Sequence, residues 1–139
     1  MRIASANLPG GVLSYVLGEE VKQNAWIDFV QGITLLLRKG GHELRGFDLY
    51  VSSDVPMGGG LSSSAAFEVA ILKVLKAAFS LKGLGEVEIS RLGQRVENEF
   101  VGAHGGIMDQ MAAFLTSNSR RVCGSLAQTR SFVKIMRRS

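Results

Sequence analysis

A domain that mixes strands and helices, of the α/β or α+β class, is what the sequence predicts. Three observations carry that expectation. Phe47, Leu49 and Val51 alternate with Asp48, Tyr50 and Ser52, the period of a half-buried strand. Trp26, Phe29, Val30, Ile33, Leu36 and Leu37 recur at helical spacing. Seventeen glycines among 139 residues suit a domain with functional turns.

Taken in order, "MRIASANLPGG" reads as a short strand ending in a Pro-Gly-Gly turn, and "VLSYVLG" as a second strand. Asn24 to Lys39 is an amphipathic helix, closed by the cations and glycines of "KGGHELRG". The strand at 47–52 follows. From Ser62 or Ser63 to about Leu81 the pattern is helical and apolar nearly all round, so that helix belongs deep in the core. "KGLGE" ends it. Ile89, Leu92, Val96 and Phe100 mark another amphipathic helix ending near Val101–Gly102. "GAHGGIMDQMAAFL" gives a glycine-rich loop and a short helix with Asp109 near its start. Beyond Leu115 no clean period remains.

Composition narrows the class. A chain of 139 residues, 46% apolar and 20% charged, is one ordinary domain with room for a core, and neither disordered nor fibrous. A lone Cys123 excludes an intrachain disulfide and a cysteine-only metal site. No cationic stub with an apolar core opens the chain, and the most apolar stretch, Ala65 to Leu81, is interrupted by Glu68, Lys73 and Lys76. A soluble cytoplasmic protein without a membrane partner is expected. The net charge of +4 comes from the last 21 residues, which hold six basic side chains and no acidic one; the other 118 hold ten basic against twelve acidic. Such a tail is read here as a solvated end, with no nucleic-acid partner expected.

The stretch "DVPMGGGLSSSAAFEVA", Asp54 to Ala70, is the most informative. It runs from a strand through glycines and serines into a helix. The first turn of a helix leaves N–H groups unpaired and carries partial positive charge, and glycines let the preceding backbone close around an anion. Serine hydroxyls add donors, or an oxygen ligand for a hard cation. A capped turn into a buried helix fits the same residues. A P-loop is ruled out, because no lysine occurs between Asp54 and Ile71. The dinucleotide fingerprint fails too, because Ser63 stands where its third glycine belongs. Glu97, Glu99 and Asp109 fall within 13 residues around a glycine-rich turn. Carboxylates beside a phosphate loop are what metal-assisted phosphoryl transfer needs. Each also has a structural explanation: Glu99 one turn from Arg95, Glu97 on a solvated flank, Asp109 at a helix start. Helical period does not choose between Glu97 and Glu99, since both border the apolar stripe.

Together these residues resemble the GHMP small-molecule kinases and, within them, the galactokinase family. "PMGGGLSSSA", Pro56 to Ala65, resembles the ATP-phosphate motif shared by the superfamily. "VENEFVGAHGGIMDQ", Val96 to Gln110, resembles the galactokinase catalytic-loop segment, with "GIMDQ" its specific part. "SANLPG" and "GFDLYVSSDVP" are similar to the stretches that precede the phosphate loop. The resemblance covers about Arg2 to Leu115. It implies an α+β fold, the GHMP kinase N-terminal domain, like a domain of ribosomal protein S5. It implies that Gly58, Gly59, Gly60, Leu61, Ser62, Ser63 and Ser64 wrap the ATP phosphates. Ser64 and Glu97 would ligate Mg²⁺, with Glu97 preferred over Glu99 by family position. Asp109 would be the acid–base group facing the sugar C1 hydroxyl, all three residues lining one cleft. The implied reaction phosphorylates galactose with ATP to give galactose 1-phosphate.

The chain also departs from the family pattern. The opening signature, an Arg-Val-Asn-like strand and a Gly-Glu-His-Thr-Asp segment, is missing, as is the second domain. His104-Gly105 stands where Pro-Cys is usual. The expectation is therefore a partial N-terminal domain over 1–115 followed by a divergent basic tail over 116–139, with little activity alone. The alternative is a non-catalytic nucleotide-binding or galactose-sensing relative, or an inactive remnant. Sensing relatives carry a deletion just after the serines, which "SSSAAFEVA" does not show.

Overall fold

The computed structural model describes residues 1–8, 10–52, 63–102 and 132–138. These form an α+β domain. In chain order come β1 (Arg2–Ser5), β2 (Val12–Ser14), α1 (Ile27–Lys39), β3 (Phe47–Ser52), α2 (Ser63–Phe79), α3 (Glu86–Arg95), a π-helical segment (Val96–Val101) that continues α3, and β4 (Phe132–Arg137). The sheet order is β2-β1-β3-β4. β1 and β3 are parallel, with Ile3 beside Leu49, and the chain between them includes α1. The two outer pairs are antiparallel.

The alternation read at 47–52 is realised: Phe47, Leu49 and Val51 are buried, Asp48 and Tyr50 face the other way. With Ile3 they form the sheet's share of the core, against Ile33 and Leu37 of α1 and Ile71, Leu72 and Leu75 of α2. On the opposite face Val12, Tyr50 and Met136 are exposed around a shallow groove of about 530 Å³. There Asp48 is held between two arginines, Arg2 at 2.6 Å and Arg138 at 2.7 Å.

β2 is shorter than its apolar run suggests. The chain turns at Val16, whose carbonyl accepts from Glu19, and passes through Gly18 at φ +101°. Tyr15 goes into the core instead, its hydroxyl 3.0 Å from Thr34 Oγ1. Burial pushes that hydroxyl's pKa well up. The next residues are tied down on α1: the Gln31 amide bonds both N–H and carbonyl of Val21, and Asp28 accepts from the Gln23 and Ala25 N–H groups. α1 begins at Ile27, three residues later than read, and carries Asp28 in its first turn with Arg38 and Lys39 in its last. α2 stops two residues before Leu81, because Ser80 turns to φ +51°.

Part of the basic tail is a strand. β4 pairs with β3 across six positions, Ser52 opposite Phe132 through Phe47 opposite Arg137. The solvated end expected there is, over these residues, a sheet edge, and Ile135 opposite Leu49 is half-buried against the core. Only pairing with β3 makes this segment a strand, so no local period announces it.

Candidate functional site

α2 opens within the glycine–serine run, at Ser63. Gly58, Gly59, Gly60, Leu61, Ser62, His104 and Asp109 lie outside the described residues. What the structure does describe is the start of α2, which follows Ser62 in the chain. Ser64 stands in the first turn of α2, where backbone N–H groups lack helical partners and the helix end is electropositive. The first turn itself holds no acidic residue.

The acid arrives from another element. Ser64 Oγ donates to Glu97 Oε1 at 2.7 Å, across 33 residues of sequence. Glu97 is only 6% exposed, so this carboxylate has been taken out of water and aimed at the start of α2. Glu99 has a different fate. Arg95 Nε and Nη2 bond its two oxygens at 2.7 and 3.2 Å on the open surface, and this pairing holds its carboxyl below the usual range. The structure thus separates two acids that helical period leaves equivalent.

The segment that carries both acids is not a regular α-helix. α3 does not continue as an α-helix past Arg95 but widens into the π-helical segment. Its closing hydrogen bond runs from Gly102 N–H to the Glu97 carbonyl at 2.8 Å, an i to i+5 step. Gly102 takes φ +84°, which ends the segment in the left-handed conformation that glycine adopts without strain. Val96 and Phe100 carry the stripe of Ile89 and Leu92 onward against Gly32 of α1, and Glu97 and Glu99 fall on its two flanks, one toward Ser64 and the other toward Arg95. Gly102 is the one sequence signal that marks the segment's end.

Two hard oxygens side by side, one of them on a carboxylate that offsets the electropositive helix end, suit Mg²⁺. An octahedral Mg²⁺ with oxygens at about 2.0–2.1 Å keeps neighbouring ligands about 3 Å apart. Ser64 Oγ and Glu97 Oε1 at 2.7 Å fit one such edge after small adjustment. Among the described residues no cluster of three or more His, Cys, Asp or Glu adds a further protein ligand. Mg²⁺ is commonly bound this way, by one or two side chains with phosphate and water completing the shell.

Comparison with known proteins points in one direction. The family profile described as "GHMP kinases N terminal domain" matches residues 28–117. The chain is 38% identical over 117 residues to a galactokinase of Limosilactobacillus fermentum, covering 81% of this chain and 30% of that protein. It is 43% identical over 113 residues to a galactokinase of a Roseiflexus species, covering 81% and 29%. Among solved structures it is similar to the crystal structure of Lactococcus lactis galactokinase complexed with galactose, with a TM-score of 0.73, 35% identity, and coverage of 80% of this chain and 29% of that one. The chain therefore spans about 30% of the length of the relatives it matches. Among the described residues no helix is long and apolar enough to cross a membrane.

Proposed function

Because the chain belongs to the GHMP kinases through their N-terminal domain, we propose that it forms the ATP-phosphate side of a galactokinase-type active site, in a protein of the cytoplasm. There the γ-phosphoryl group of ATP passes to the C1 hydroxyl of galactose, and ADP and galactose 1-phosphate leave. The observation that carries the reading is the hydrogen bond of 2.7 Å between half-buried Ser64 and buried Glu97, at the start of the helix into which the glycine–serine run leads.

Roles follow from position and chemistry. Residues Gly58 to Ser64 close around the phosphates, using backbone N–H groups and hydroxyls. Ser64 and Glu97 would hold the metal. Mg²⁺ supplies charge neutralisation on the phosphate oxygens when bound. Asp109 takes the proton of the sugar hydroxyl as that oxygen attacks. Buried Glu97 stays fixed without reorganising during transfer, and this is where a preorganised site gains most.

A chimera tests the proposal. Residues 2–115 of this chain replace the matching segment of an active galactokinase, and galactose 1-phosphate is followed. The chimera is expected to turn over, and Asp109→Asn in it to lose roughly 10²- to 10⁴-fold, the usual worth of a general base. An Asp109→Asn chimera as fast as its parent contradicts the assignment.

A further inference from the structure

Both members of the Ser64–Glu97 pair are located by one helix, α1. Phe29 and Gly32 stand one turn apart on it and so share a side. Phe29 meets Phe67 edge-on, ring centroids 6.2 Å apart, and Trp26, a turn earlier, meets the same ring at 6.2 Å. Phe67 lies three residues after Ser64, so these rings fix the first turn of α2 against α1. Gly32 serves the other member. A Cβ built on it would lie 2.8 Å from Val96 Cγ1, 3.1 Å from Phe100 Cβ and 3.2 Å from Phe100 Cγ. Val96 and Phe100 belong to the π segment and stand on either side of Glu97.

The nearest of these distances is closer than two carbons approach, and the obstacles are near-backbone atoms that do not swing aside. A glycine inside a helix also lowers helix stability relative to alanine. The sequence keeps one at the point where the π segment rests on α1.

We propose that Gly32 is a positioning residue for this site. Lacking a Cβ, it lets the π segment seat directly on α1, and that seat brings the Glu97 carboxylate within hydrogen-bond reach of Ser64. Its functional consequence rests on the metal-site reading above; its geometry does not. Alanine at 32 pushes Val96 and Phe100 outward while Phe67 keeps Ser64 where it is, so the two oxygens part.

The test is a double-mutant cycle by urea unfolding on the full chain: Ser64→Ala, Glu97→Gln and both, first with Gly32 and then with Gly32→Ala. Coupling between Ser64 and Glu97 is expected with Gly32 and is lost in Gly32→Ala. A merely structural glycine would lower the stability of every variant and leave the coupling intact. Adding Val96→Ala removes the nearest obstacle and is expected to restore the coupling, or to restore folding where Gly32→Ala alone does not fold. No coupling with Gly32 in place, unchanged coupling in Gly32→Ala, or a Val96→Ala change that rescues neither coupling nor folding overturns the proposal. Mn²⁺ titration in the presence of ATP separates the two claims. Gly32→Ala is expected to weaken Mn²⁺ about tenfold, as loss of a supporting contact commonly does. If the parent chain and Glu97→Gln bind Mn²⁺ and ATP alike, the metal reading falls, and the coupling experiment still decides the role of Gly32.

Discussion

Glu97 and Glu99 are two residues apart and chemically identical, and their surroundings set them to different work. Glu99 sits on the surface in a bidentate pair with Arg95. Exposed pairs of that kind contribute little, so Glu99→Gln is expected to cost about 0.5 kcal/mol in urea unfolding and to leave nucleotide binding unchanged. A loss of binding in Glu99→Gln would reverse the assignment of the two acids. The residue scale also carries a pH dependence. Asp48 is held down to about 2, first by its hydrogen bond from Arg2 and then by Arg138. A carboxylate with a lowered pKa when folded adds stability that is complete above its unfolded value, about 4, and is lost as pH falls through the folded one. The unfolding midpoints of the parent chain and Asp48→Asn should therefore draw together between about pH 4 and pH 2. Curves that stay parallel there would mean that the two arginines do not hold this carboxyl. At this scale the sequence was legible in part. The acids and the serines were visible as a set, but the partner of each depends on contacts across 33 residues for Ser64–Glu97 and 46 for Arg2–Asp48.

At the scale of elements, local period revealed what local forces determine. The alternation in β3 and the apolar stripe of α1 each bury a defined face, so their sequences carry the pattern. The π segment and β4 were not legible for different reasons. A π turn needs an extra residue per turn but no special residue type, and its only mark is Gly102 at its end. β4 is a strand because β3 offers it a free edge, and the basic residues Lys134, Arg137 and Arg138 disguise it as a charged tail. Two substitutions test how these elements hold the site. Phe67 is 8% exposed and touches two rings of the α1 region, so Phe67→Ala is expected to cost about 3–5 kcal/mol in urea unfolding. A cost below about 1 kcal/mol would show that α2 is not anchored through this ring. Gly102→Ala must adopt φ +84° with a side chain, and is expected to lose about 1 kcal/mol by the same measurement. A neutral result would mean that the left-handed turn is not what ends the π segment.

At the scale of the whole molecule, the described residues place one layer of helices on one face of a four-stranded sheet, with the start of α2 and the π segment meeting at the site. Family membership was legible because two short motifs carry chemistry at fixed spacing; the glycine loop and Asp109 enter the account through those motifs, since they lie outside the described residues. The chain spans about 30% of its relatives' length, and phosphoryl transfer depends on positioning that is worth roughly 7–11 kcal/mol when complete. Galactose turnover by these 139 residues alone is thus expected far below a typical enzyme's ~10 s⁻¹. A rate near that figure would show that the chain builds a full sugar site. Nucleotide binding asks less of the molecule and tests the centre of the account. The measurement is the ATP affinity of the full chain by calorimetry, with and without Mg²⁺, for the parent and for Glu97→Gln. Mg²⁺ is expected to tighten ATP binding to the parent about tenfold or more, and Glu97→Gln to keep the metal-free affinity but lose most of that gain. An equal gain from Mg²⁺ in both proteins would contradict the metal assignment.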